Sequence, residues 1–201
     1  MISVSPSAQK SLPRWPSAGL VLLQPGGISG DGSGGGSGGL PQRLADLLEL
    51  RPLACPVERQ RDAHQLLNDL AREPEGWLLP LALDPGAALQ GGDCWAEALA
   101  AWRQPALLLL PAVQAGAGPD RAYAALLEAA AVPLLGLVQL GGSWQAQSRR
   151  ADRLAWLGWL PGSPGAPGGE EELAEQQLRL VLQARWRLSS ARAAEPDCPP
   201  A

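Results

Sequence analysis

The chain has 201 residues, 46% of them hydrophobic, and a formal net charge of −4. That length and apolar content suffice for one domain with its own core, and the acidic balance supplies no basic field for nucleic acid or anionic lipid. Cys55, Cys94 and Cys198 are odd in number, widely spaced and accompanied by a single histidine, which argues against a disulfide framework or a zinc site and for reduced thiols.

In chain order, residues 1–17 are a Ser/Pro-rich arm without the apolar stretch of a secretory signal, so a flexible arm and a cytoplasmic protein are expected. Residues 18–24 form a short, continuously apolar run, the kind buried on both faces of a parallel sheet. Residues 26–39 are then almost entirely glycine and serine, with Asp31 inside the stretch. Pro41 suits the first turn of a helix, and Leu44, Leu47 and Leu48 recur at helical spacing. A strand is expected over residues 53–55. Over residues 61–72, Ala63, Leu66, Leu67 and Leu70 follow the i, i+3, i+4, i+7 pattern of a buried stripe, stopped by Pro74. Residues 77–79 read as the third strand.

Asp93 is placed to cap the next helix, whose stripe is Trp95, Ala98, Leu99 and Trp102. Residues 106–110 make the clearest central strand. Gly118, Pro119 and Asp120 open another helix, with Tyr123, Leu126, Leu127 and Ala130 inward and Pro133 as its stop. Strands follow at 134–139 and 156–160, with a short helix from about Gln145 between them. Residues 163–169 are a Pro/Gly linker. The last helix begins at Glu170, Glu171, Glu172 and Glu175 and closes on Arg185, Arg187 and Arg192, an order that suits the helix dipole. Its inner stripe is expected to be Leu173, Leu180, Val181, Ala184 and Leu188. Residues 18–190 thus read as one α/β domain, and residues 191–201 as a disordered tail. The longest apolar tract, 122–138, is interrupted by Glu128, Pro133 and Gly136, so no membrane span is expected. Strands alternating with helices at these lengths predict an open, mostly parallel, doubly wound sheet of about six strands, with any ligand beyond the strand C-termini.

Several short motifs recur in the order found in one family. Arg51-Pro52-Leu53 follows the first helix, Asp62-Ala63 opens the second, and Gly76-Trp77-Leu78-Leu79-Pro80-Leu81 forms a strand. Leu157-Gly158-Trp159-Leu160-Pro161 ends the sheet. Together with the glycine stretch they resemble dethiobiotin synthetase, a member of the P-loop ATPases, over roughly 140 residues counted from Gly19 to Pro161. The resemblance implies a P-loop-like fold, Mg²⁺ and ATP as cofactors, and a place in biotin biosynthesis. It puts Gly35, Gly36, Gly38 and Gly39 at the phosphates, with Arg43 the one nearby cation. It puts Asp62 on Mg²⁺, with Glu75 or Glu73 standing in for a second carboxylate, and Arg51 where the family has a substrate-binding lysine.

The catalytic parts depart from the family pattern. Its loop ends Gly-Lys-Thr, whereas here Gly39-Leu40-Pro41-Gln42-Arg43 follows and the only lysine is Lys10. Losing one charge-assisted phosphate contact costs about 1.5–3 kcal/mol, and each fixed loop residue costs about 1–2 kcal/mol. ATP binding is therefore expected to be weak or lost. The family's base-reading asparagine is replaced by Gln139-Leu140-Gly141-Gly142. For each residue a plainer reading stands beside the functional one: Arg43 as a solvated charge, Asp62 as a first-turn carboxylate, Glu73, Glu75 and Arg51 as surface groups, and residues 26–39 as a linker. Three functions remain open at this point: a degenerate ATPase fold working through a protein partner or self-association, an active Mg-ATP-dependent cyclo-ligase, or a ligand-free structural domain.

Overall fold

The computed structural model describes residues 19–25, 39–56, 59–89, 91–116, 118–162 and 169–194, with side chains up to residue 189. Among these residues six strands form one sheet: β1 (Gly19–Leu23), β2 (Arg51–Pro52), β3 (Trp77–Leu81), β4 (Ala106–Pro111), β5 (Leu134–Leu140) and β6 (Trp156–Leu160). Their spatial order is β2-β3-β1-β4-β5-β6, and every pairing is parallel. The apolar runs expected to be central, within β1 and β4, are the two middle strands. All five residues of β1 are buried, as a strand covered on both faces must be.

The helices are α1 (Gly39–Leu48), α2 (Ala63–Leu70), α3 (Trp95–Ala101), α4 (Pro119–Ala129), α5 (Ala146–Ala151) and α6 (Glu170–Ala194), with a 3₁₀ turn at Arg59–Arg61. Strand alternation sorts the core into two layers. Val21, Leu23, Leu79, Leu108 and Leu137 pack with α2, α3 and α4 on one face. Leu20, Leu22, Leu107, Leu109 and Val138 pack with Leu44 and Leu48 of α1 and Leu178, Leu182 and Trp186 of α6 on the other. The result is an open, doubly wound, three-layer α/β fold. Among the described residues no helix is long and apolar enough to cross a membrane.

Three helices stop in the same way. Glu49, Arg103 and Ala131 follow α1, α3 and α4 with φ of 57°, 47° and 59°. In each case the next N–H reaches back five residues: Leu50 to Ala45 O at 2.8 Å, Gln104 to Leu99 O at 2.8 Å and Val132 to Leu127 O at 2.9 Å. This is the Schellman closure, built here without the glycine that usually adopts the left-handed conformation. Glycine is needed instead at Gly19, where an added Cβ would lie 2.0 Å from the buried Trp77 ring.

Five expectations need correction. The second strand is Arg51–Pro52 rather than residues 53–55; Leu53 still bonds Leu78 O at 2.8 Å, but pairing ends there. The N-cap of α3 is Cys94, whose N–H is accepted by Glu97 Oε2 at 2.8 Å, and Asp93 turns to His64 instead. Trp102 is 38% exposed, donating its indole N–H to His64 Nδ1 at 3.1 Å. The stripe expected to be buried on α6 is its outer face: Leu173, Leu180, Val181 and Leu188 are 54%, 65%, 37% and 63% exposed, while Leu178, Leu182 and Trp186 are buried. The helix also runs to Ala194, past the expected boundary at 190.

Candidate functional site

In a parallel sheet the loops beyond the strand C-termini are where a ligand is met. Here β1 alone among the four left-hand and central strands sends its connection to the α1–α6 face, while β3 and β4 lead to α3 and α4 on the other. Topology therefore favours the end of β1 as the place where a ligand would be met; residues 26–38, which follow it, lie outside the described residues. Gln24 directly follows β1, and its N–H continues the ladder to Leu81 O at 2.9 Å. The residue is 7% exposed, and its side-chain Nε2 has no hydrogen-bond partner among the described residues. Gln114, just after β4, likewise has a buried Oε1 without a partner among the described residues.

Of the glycines assigned to phosphate, Gly35, Gly36 and Gly38 lie outside the described residues. Gly39 is the first residue of α1, and the space where a Cβ would project is open. Arg43 is on the same helix, with its side chain 19% exposed. One guanidinium nitrogen donates to Pro161 O at 2.8 Å, and another pairs with Glu175. The arginine thus ties α1 to the start of α6.

Asp62 caps α2, accepting the Gln65 N–H at 3.0 Å. Arg51 pairs with Glu73 at 2.9 Å and lies 3.8 Å from Glu75. Because Arg51 is in register with Trp77, the first residue of β3, this cluster is at the N-terminal end of the sheet. Asp62 and Glu75 consequently stand at opposite ends of α2, an eight-residue helix of about 12 Å. Among the described residues no group of three or more His, Cys, Asp or Glu could hold a metal ion.

Near the end of β5, Gln139 is completely buried. Its Oε1 accepts from Arg149 Nε at 3.1 Å and Nη2 at 2.9 Å. Its Nε2 donates to Gly141 O at 2.9 Å and Ser143 O at 3.2 Å. Arg149, 12% exposed, also lies 3.9 Å from Asp152 and 4.8 Å above the Trp156 ring, a cation–π contact. Asp152 in turn accepts the Trp156 indole N–H at 2.8 Å. At the neighbouring loop the buried Asp120 takes Gly116 N–H at 2.6 Å and Arg121 N–H at 2.8 Å, fixing the entry to α4.

A cleft of about 570 Å³ lies between the loop after β3 and the first half of α4, lined by Asp84, Gly86, Pro119, Ala122, Tyr123 and Leu126. Asp84 Oδ1 accepts the Gly86 N–H at 2.9 Å, shaping the loop. Burial and then the negative charge of Asp84 raise the Tyr123 phenol above its ordinary value, so it is a neutral hydroxyl at physiological pH. Its size and apolar walls suit a small molecule or a partner's side chain.

Sequence reasoning missed Gln24, Arg149 and this cleft. Only Gln24 carried a local signal, a polar side chain closing an unbroken apolar strand.

The chain matches no protein-family model and no curated protein. The likeness to dethiobiotin synthetase therefore rests on the ordered motifs alone.

Proposed function

We propose that the chain is a catalytically degenerate relative of dethiobiotin synthetase, retaining a P-loop-like architecture and working as a binding or regulatory domain. The observation that carries this reading is Gln139. It occupies the place of the family's base-reading asparagine, and both ends of its amide are spent on Arg149 and two backbone carbonyls. An amide saturated in this way has nothing left with which to read adenine. The described residues also do not fit Mg-ATP: Asp62 is used as a helix cap, Glu75 lies beyond the far end of α2, and Arg43 is held by Pro161 and Glu175. No step through the nucleotide follows from such a set.

Phosphoryl transfer of this class depends on cations at the transferring group and on carboxylates and a hydroxyl around Mg²⁺. The test is steady-state phosphate release with Mg-ATP, CO₂ and a diamine such as diaminopelargonic acid, for the native chain and for Asp62→Ala. Expected is no turnover above the blank in either protein, with calorimetric ATP affinity no tighter than about millimolar. Turnover in the native chain that disappears in Asp62→Ala would establish the active cyclo-ligase instead.

A further inference from the structure

Among the described residues α5 is the one α-helix that buries nothing. Ala146, Gln147, Ser148, Arg150 and Ala151 are exposed, and only Arg149 reaches inward. Its backbone bonds are internal: Arg149 N–H to Gln145 O at 3.1 Å and Asp152 N–H to Ser148 O at 3.2 Å. Gly141 and Gly142, both at φ 63°, lead into it. At Gly142 an added Cβ would lie 2.6 Å from the Ala112 side chain, so the tight turn needs glycine there. Such a helix has no apolar stripe to hold it on the sheet. Among the described residues its attachment falls to the Arg149 guanidinium and to the edge contact of Trp144 with the Trp156 ring, centroids 6.3 Å apart.

What Arg149 occupies has the makings of a site in its own right. Gln139 Oε1 receives two of its N–H groups, the Asp152 carboxylate lies 3.9 Å from Nη1, and the Trp156 ring centroid lies 4.8 Å from Cζ. The three groups are positioned by bonds that do not pass through Arg149. Gln139 is on β5 with its Nε2 held by Gly141 O at 2.9 Å, and Trp156 opens β6. Asp152, which follows α5, has its carboxylate fixed by the Trp156 indole N–H at 2.8 Å and the Leu154 N–H at 3.0 Å. A carbonyl, a carboxylate and an aromatic face recognise a cation. They suit guanidinium better than ammonium, because a planar fork presents two N–H groups to one oxygen while its face stays on the ring.

We propose that the end of β5 is a guanidinium-binding site occupied in cis: α5 is a strap that carries the chain's own ligand and gives way to a guanidinium presented by another molecule, as on an arginine side chain. The tether makes Arg149 an intramolecular competitor at an effective concentration of about millimolar or more, so the site stays filled until the strap lifts. Lifting exposes no apolar surface of α5, since α5 buries none, and a segment of that kind opens locally while the sheet stays folded. The inference concerns the end of β5 alone and stands whether or not the domain has lost catalysis.

Hydrogen exchange on the full native chain should show the amides of residues 149–152 opening about tenfold or more faster than those of β4. Arg149→Ala should speed them by about tenfold or more again and leave β4 unchanged. In that variant N-ethylguanidinium, titrated at constant ionic strength, should shift the Trp156 indole N–H resonance saturably with a Kd of about 1–10 mM. Ethylammonium should not, and adding Gln139→Leu should abolish the response. In the native chain the same titration should be weaker by about tenfold or more, because Arg149 fills the site. Exchange of residues 149–152 only together with β4 in the native chain overturns the proposal. So does an Arg149→Ala variant whose exchange is unchanged or whose fold is lost, since a strap is released with the sheet intact. Equal binding of guanidinium and ammonium, no binding of either, or equal binding to native chain and variant overturns it as well.

Discussion

Gln24 and Gln139 lie at almost the same height near the C-terminal end of the sheet and meet opposite fates. Leu23 is in register with Leu108, and Gln139 with Leu110, so the two differ by about one residue in height. Strand alternation puts Gln24 on the α1–α6 face and Gln139 on the face of α2, α3 and α4. Gln139 has every strong bond its amide can make to Arg149, Gly141 and Ser143, whereas Gln24 Nε2 is buried without a partner among the described residues. A polar network closes the end of β5, whereas at the end of β1 the described residues leave one amide donor unmet. A buried amide with its donor unmet costs stability, and proteins keep such groups where something other than stability is served.

The largest expected effect is at the sealed end. Gln139→Leu removes two bonds from a guanidinium that is mostly out of water, and strands two backbone carbonyls. Denaturant unfolding should show a loss of about 3 kcal/mol. If the network is the cause, Arg149→Met in the same background should add much less than it costs alone, because the partner it would abandon is already gone. Full additivity would mean that Gln139 acts through packing.

At the end of β1 the sign should reverse. Gln24→Leu removes an unmet donor without changing the apolar surroundings of β1, so stability should stay level or rise by about 1 kcal/mol. A loss of about 2 kcal/mol or more would show that the Nε2 group is satisfied by residues outside the described ones, and would erase the contrast.

The smallest effect concerns the cleft at Tyr123. Tyr123 is the only tyrosine in the chain, so ultraviolet absorbance during alkaline titration reports it alone. Its midpoint should lie above the ordinary 10.0, chiefly through burial and secondarily through Asp84. Since the folded value is the higher one, the associated stability is fully present below pH 10.0 and is lost as pH rises through the folded value. Asp84→Asn should lower the midpoint. No movement would remove the carboxylate from the account of the cleft.

Much of the fold was legible because its signals are local. The unbroken apolar runs of β1 and β4 permit burial on both faces and little else, and Pro41, Pro119 and Pro133 punctuate the helices where backbone chemistry requires. The candidate site was legible only as a set of positions. Arg51, Asp62 and Glu75 fall close together in sequence, but α2 carries the chain from one end of the sheet to the other between them, and no spacing rule reveals that separation.

The last helix marks the boundary most clearly. Its sequence determined that residues 170 onward would be helical, acidic at the start and basic toward the end. The stripe expected to be inward was Leu173, Leu180, Val181, Ala184 and Leu188, but Leu178, Leu182 and Trp186 repeat at i, i+4, i+8 on the same helix, so periodicity by itself does not choose between them. Tertiary structure made the choice. Trp186 fills the layer under β4, β5 and α1, and the ion pairs Arg43–Glu175 and Arg179–Glu49 join α6 to α1 along that same side. Those partners lie more than a hundred residues away in the chain. Which row is core and which is surface was therefore decided by the docking of α6 on the finished sheet.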